Sequence, residues 1–236
     1  LFINNTLTLA DAVTLNIGGS QLQFKTATAG ISTSGPGASA TVQMANGTIY
    51  EAAGGTATIG AGVTVQGSGT ISWCCVGGSP TIVNNGIIDA NSGGTLTINP
   101  VVFTNGGTLK ASVGTLTVSP TSWSGTGTLV ASGGTLNLGG SFTRSDLLGG
   151  ITHSAGTINV SGTLDLQNGA IDMGAGGTFG ALGLTGVSGT IKNGTLNNTG
   201  GLTLTSSNGT LDGVTLGNSM SESGTLFINN TLTLAD

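Results

Sequence analysis

Residues 93–138 read GGTLTINPVVFTNGGTLKASVGTLTVSPTSWSGTGTLVASGGTLNL, and their spacing decides the fold. The phrase Gly-Thr-Leu starts at Gly94, Gly114 and Gly134, and in a second series at Gly107 and Gly127; each series advances by 20 in residue number. The triplets Leu96-Thr97-Ile98, Leu116-Thr117-Val118 and Leu136-Asn137-Leu138 keep the same step. Apolar-polar-apolar alternation marks a strand with one buried face. These strands are too short to be independent members of a sandwich. The Gly, Asn-Gly and Ser-Gly residues between them supply the positive φ that tight corners demand. A coil of ~20 residues holding two or three short strands, stacked on the next coil at ~4.8 Å, satisfies the pattern.

The same grammar extends in both directions. Gly-Thr followed by Leu, Ile or Phe occurs 14 times between Gly47 and Gly224. Ile158-Asn159-Val160, Leu182-Gly183-Leu184 and Leu202-Thr203-Leu204 continue the triplets at steps of 20 to 24. Helix is disfavoured by the density of Gly and Thr and by the lack of any sustained 3.6-residue stripe. The expected fold is all-β: a parallel β-helix (β-solenoid) of about eleven coils of ~20 residues, without helices, running as one continuous segment over residues 1–236. Stacking at ~4.8 Å gives a rise on the order of 50 Å. In-register stacking predicts columns of like residues: Phe103 with Trp123 and Phe142, Thr95 with Thr115 and Thr135, Thr97 with Thr117 and Asn137. Stretches 31–47 and 139–156 keep the register least well and are expected to form bulged corners or loops.

A longer period frames the short one. LFINNTLTLAD occupies Leu1 to Asp11 and recurs at Leu226 to Asp236, which sets a 225-residue period. Self-similarity of this kind points to a repeat architecture. The expectation is an internal or processed piece of a tandemly repeating fibre, with the two copies (Leu1, Asp11, Leu226, Asp236) as repeat junctions at which the chain's partner is itself, one repeat continuing end to end into the next, covalently or not.

Composition narrows the function classes. Charged residues make up 6% of the chain, against 37% hydrophobic residues and 45 glycines. That balance departs from the low hydrophobicity and high charge of disordered chains. Nucleic-acid binding needs clustered cations; Lys25, Lys110, Arg144 and Lys192 are scattered through a chain of net charge −5. No apolar run approaches the roughly 20 residues of a membrane helix, so membrane insertion is not expected.

Candidate chemistry is sparse, and no catalytic, cofactor-binding or metal-ligating residue is expected. Cys74-Cys75 is a candidate disulfide, either vicinal or between fibres; its alternative is one buried and one exposed thiol on a strand. His153, the single histidine, reads as a surface residue. Asp165 and Asp172 are the nearest approach to a carboxylate pair, with no cation adjacent in sequence; glycoside hydrolysis needs two facing carboxyls, so both read as solvated strand or corner positions. Asn-x-Thr at Asn4, Asn46, Asn193, Asn197, Asn208 and Asn229 would accept glycans in a secreted eukaryotic protein, but coincides with the repeat and reads as a turn entering a strand. The Thr-Leu-Thr phrases reflect β-branched preference for exposed strand positions.

Phrases such as GGTLTI, NNGIIDANSGGTLTI, FTNGGTLKAS and NGTLDGVTL resemble giant β-strand-repeat surface proteins of bacteria, the filamentous-haemagglutinin and autotransporter-passenger class of β-helices. The resemblance implies a right-handed winding, secretion, and an extracellular or cell-surface location. It also implies a fibrous role, with adhesion to glycans or surfaces as the alternative. The regularity of the 225-residue period shifts weight toward the fibre.

Overall fold

Thr95–Ile98 lies directly beneath Thr115–Val118, which lies beneath 135–138. The Cα partners are Thr95 with Thr115 and Thr135, and Leu96 with Leu116 and Leu136. The predicted stack is therefore present, and its parallel ladder extends through the computed structural model, which describes residues 1–75 and 77–235. Parallel neighbours need a long return connection; here one circuit of the coil provides it. Each circuit contributes three strand positions, so the solenoid has three faces of eleven strands each; on face C no strand pairing joins 151–153 to Ala170–Asp172.

Face A begins at Phe2–Ile3 and Gln21–Phe24, passes through Thr95–Ile98 and Thr115–Val118, and ends at 221–224. Face B runs from Thr6–Leu9 through Val102–Asn105, Ser122–Ser124 and Thr163–Asp165 to 227–229. Face C runs from Thr14–Gly18 through Ile87–Asp89 and Thr108–Ala111 to 232–234. Inward side chains of the three faces meet in one narrow core, in which Leu96, Leu116, Leu136, Ile88, Leu109 and Leu129 are fully buried.

The aromatic column is also present. Phe103 pairs with Trp123, and the Trp123 and Phe142 rings stack with centroids 4.7 Å apart. Trp123 Nε1 donates to Gly139 O at 3.0 Å, which satisfies the one polar group that this ring carries inward. Leu164, Ile191, Leu211 and Ile228 continue the column upward on face B.

The Gly of the Gly-Thr phrase has a steric cause. A Cβ at Gly134 would fall well inside van der Waals contact of Gly114 O, and one at Gly156 would collide with Gly134 O in the same way. The backbones of successive corners touch there, so only glycine fits. Other corners use asparagine in the left-handed region: Asn46, Asn193 and Asn208 have φ of 62°, 56° and 62°. Three of the Asn-x-Thr sites are thus turn residues. In the last coil Asn230, not Asn229, takes the left-handed role, at φ 53°.

Several expectations need correction. Much of 31–47 is strand, because Ala40–Glu51 covers its second half and pairs Thr41, Val42 and Gln43 with Thr64, Val65 and Gln66. Its register was obscured because Thr41 stacks between Thr14 and Thr64, two steps that are unequal and both longer than those of the central coils. Within 139–156, Ser141–Thr143 and the start of Ile151–Val160 are strand, and Arg144–Leu147 forms a single 3₁₀ turn. Leu182-Gly183-Leu184 is not a strand: it belongs to an excursion over 173–185, and face A resumes at Gly186–Val187.

Candidate functional site

The carboxylates do not assemble into a reaction centre. Asp165 lies on face B and Asp172 on face C, so they do not face each other. Stacking brings Asp165 the cation that its sequence neighbourhood lacks: Lys192 is its Cα partner on the next coil, with Nζ 3.6 Å from Oδ2. Burial pushes the Asp165 carboxyl upward, but the Gln167 N–H, the Asn193 amide and the Lys192 ammonium outweigh it and hold the pKa below the usual carboxylate value. Asp172 is held low in the same sense: burial opposes ionisation, and the Thr199 hydroxyl, Gly174 N–H and Thr199 N–H overcome it. A general acid needs a raised pKa, so both shifts run against that role. Asp89 is likewise committed, accepting from the Ser112 hydroxyl at 2.7 Å and pairing with Lys110 at 3.6 Å.

Three polar residues lie deeper than their residue types ordinarily do. His153 is only 2% exposed, contrary to its reading as a surface residue. Its Nδ1 faces Gly183 O at 3.0 Å and its Nε2 faces Gly156 O at 3.1 Å, so the ring fastens the 173–185 excursion to a corner. Glu51 is fully buried, accepting from Ala53 N–H at 2.9 Å and Gly54 N–H at 3.0 Å. Asp146 accepts from Gly125 N–H at 3.0 Å and from the Thr143 backbone at 2.8 Å and hydroxyl at 2.7 Å. Glu51 and Asp146 each close a corner whose backbone N–H groups would otherwise lack partners, whereas His153 meets two corner carbonyls. Only the turn context, not the residue type, could have signalled this.

Cys74 and Cys75 lie at the corner that follows Val63–Trp73, not on a strand. Both are free thiols, Cys74 half-buried and Cys75 exposed at φ 69°. The hydrogen bond to Cys75, then burial, raise the Cys74 thiol above its ordinary value, with Lys25 opposing. Reactive cysteines sit in electropositive surroundings that favour the thiolate; Cys74 is held toward the thiol instead.

The distinctive surfaces are the two terminal coils, where the eleven-residue phrase stands twice with complementary neighbours. The first copy is covered from above: Ile3 pairs with Phe24, Leu7 with Ile31 and Leu9 with Thr33. The second is supported from below: Ile228 pairs with Leu211, Leu232 with Val214 and Leu234 with Leu216. Exposure follows the neighbours. Ile3 and Leu9 are 6% and 7% exposed, whereas the equivalent Ile228 and Leu234 are 45% and 70% exposed. Among the described residues, none pairs with the upper edge of the top coil or covers Ile228 and Leu234; an edge of this kind is ordinarily capped or continued. Of the junction residues, Leu1, Asp11 and Leu226 lie in these coils, and Asp236 lies outside the described residues.

Comparisons with protein families, with curated proteins and with solved structures returned no match.

Proposed function

We propose that the chain is a structural, fibre-forming component of an extracellular or cell-surface matrix, in which the solenoid repeats stack end to end into a stiff filament. The observation that carries this reading is the paired environment of LFINNTLTLAD. One copy has its upper neighbours and the other its lower neighbours, and the side chains left bare in the second are those covered in the first. Placing both sets of neighbours around one phrase completes a coil like those of the interior. Stiffness follows from parallel ladders that are continuous on faces A and B, and interrupted once on face C, around a single core. The commitment of the carboxylates and of His153 to corners and ion pairs accords with a non-enzymatic role.

Electron microscopy tests the proposal. The purified chain should appear as rods about 50 Å long, eleven coils at ~4.8 Å each. Surface material recognised by an antibody against it should appear as unbranched filaments of the same width. Compact, roughly isometric particles of the purified chain, or antibody labelling confined to the cell interior, would overturn it.

A further inference from the structure

The two copies of LFINNTLTLAD are identical in sequence but stand on different faces. In the first copy, Phe2–Ile3 is on face A and Thr6–Leu9 on face B. In the second, Phe227 and Ile228 continue the face B column through Thr210 and Leu211, and Leu232 and Leu234 continue face C through Val214 and Leu216. The ladders fix this assignment pair by pair. Face B climbs Phe142, Leu164, Ile191, Leu211, Ile228. Face A climbs Asn137, Asn159, Gly186, Thr205, Ser223. The 225-residue period thus carries the chain through ten coils and one further face, thirty-one strand positions in place of the thirty or thirty-three of a whole number of coils.

We infer that what covers the open top coil is the segment 12–33 of a second repeat, seated one face round from its position in the first. This rests on the fibre reading above. Strand 21–24 of the second repeat then lies on face B above Phe227 and Ile228, reproducing the pairs Phe2 with Gln23 and Ile3 with Phe24. Its strand 28–33 lies on face C above 231–234, reproducing Thr6 with Gly30, Leu7 with Ile31 and Leu9 with Thr33. Each repeat advances about 50 Å along the axis and turns every surface feature by one third of a coil. Surface columns return to the same face only after three repeats. A ligand or partner recognising one such column meets it on a three-repeat spiral, not along a single side.

Residue-specific crosslinking tests the seating. Residues 12–236 are appended once behind Asp236, with Cys74→Ser and Cys75→Ser in both repeats. One variant carries Phe227→Cys with Gln23→Cys of the second repeat, the pair that the offset seating makes adjacent. The other carries Ser223→Cys with Gln21→Cys of the second repeat, the pair that an in-phase seating would make adjacent, since Gln21 and Ser223 belong to one face A column. Paired Cα atoms on stacked strands are within the span of a disulfide. The inference expects nearly complete crosslinking of the first variant on mild oxidation, matching a Phe2→Cys/Gln23→Cys control, and almost none of the second. The reverse pattern overturns the offset but leaves the fibre reading standing. Neither crosslink, with the control intact and the second repeat readily proteolysed, overturns both.

Discussion

Gly134→Ala, compared with Gly93→Ala, applies one substitution at two glycines that enter face A two coils apart. Around Gly93 there is open space, and its φ lies outside the left-handed region. Alanine there removes freedom from the unfolded chain and should stabilise by about 0.4–1 kcal/mol. At Gly134 the new Cβ is driven into Gly114 O, the acceptor of the Thr135 N–H at 3.0 Å. Normal contact requires a displacement of roughly an ångström or more, and the backbones above and below are held by their own ladders. Overpacking costs typically about 1–3 kcal/mol. Stretching the Thr135–Gly114 bond adds about 1 kcal/mol, so a loss of about 2–4 kcal/mol is expected. Urea unfolding followed by circular dichroism reads both variants, with the slope compared to confirm that the same surface is exposed. Hydrogen exchange at the Thr135 amide should accelerate in Gly134→Ala and remain unchanged in Gly93→Ala. Equal midpoints for the two variants would refute close coil-on-coil stacking at this corner.

A double-mutant cycle of Trp123→Leu and Phe142→Leu should show a coupling of about 0.5–1.5 kcal/mol from the ring stack; additive losses would mean that the rings do not stack. The depressed carboxyls of Asp165 and Asp172 predict the sign of the acid response. Their contribution is fully present above the unfolded carboxylate value of about 3.9 and is lost as pH falls through the lower folded values. Asp165→Asn and Asp172→Asn should therefore flatten the stability–pH curve below about pH 4, and an unchanged slope would contradict the shifts. Both thiols of the folded chain should react with a thiol reagent, Cys75 before Cys74, as their exposure and the raised Cys74 value require; the opposite order would contradict that corner geometry. His153→Ala should increase proteolytic cleavage within 173–185 with little effect near Leu96, measured by limited digestion and peptide mapping, because the ring anchors that excursion.

The register was legible where the coil length is constant. Residues 93–138 step by 20, so the column Thr95-Thr115-Thr135 and the pair Phe103-Trp123 follow from counting alone, and Phe142 joins them one residue short of that step. It was illegible where corners lengthen. Thr41-Val42-Gln43 alternates as a strand should, but its partner below begins as far back as Thr14, which places it outside any fixed step. Inward polar residues were hidden for another reason. Glu51, Asp146 and His153 are of residue types that usually stay exposed, and here their partners are corner backbone groups, either in the turn that follows, as for Glu51, or on another coil as well, as for Asp146 and His153. The Asp165–Lys192 pair is likewise invisible along the sequence, since a full circuit of the coil separates its members and only the stacking makes them neighbours. The phase of the long repeat is the clearest case. Two identical phrases carry identical local information, and only the number of strand positions between them decides which face each occupies.

Fibre diffraction from oriented filaments reads the coil stacking and the three-repeat spiral together. Strands lying across the rod axis should give a meridional reflection at ~4.8 Å, together with a long axial repeat of about 150 Å, three advances of about 50 Å each. Strands running along the axis, or oriented material without the ~4.8 Å meridional spacing, would contradict the stacking.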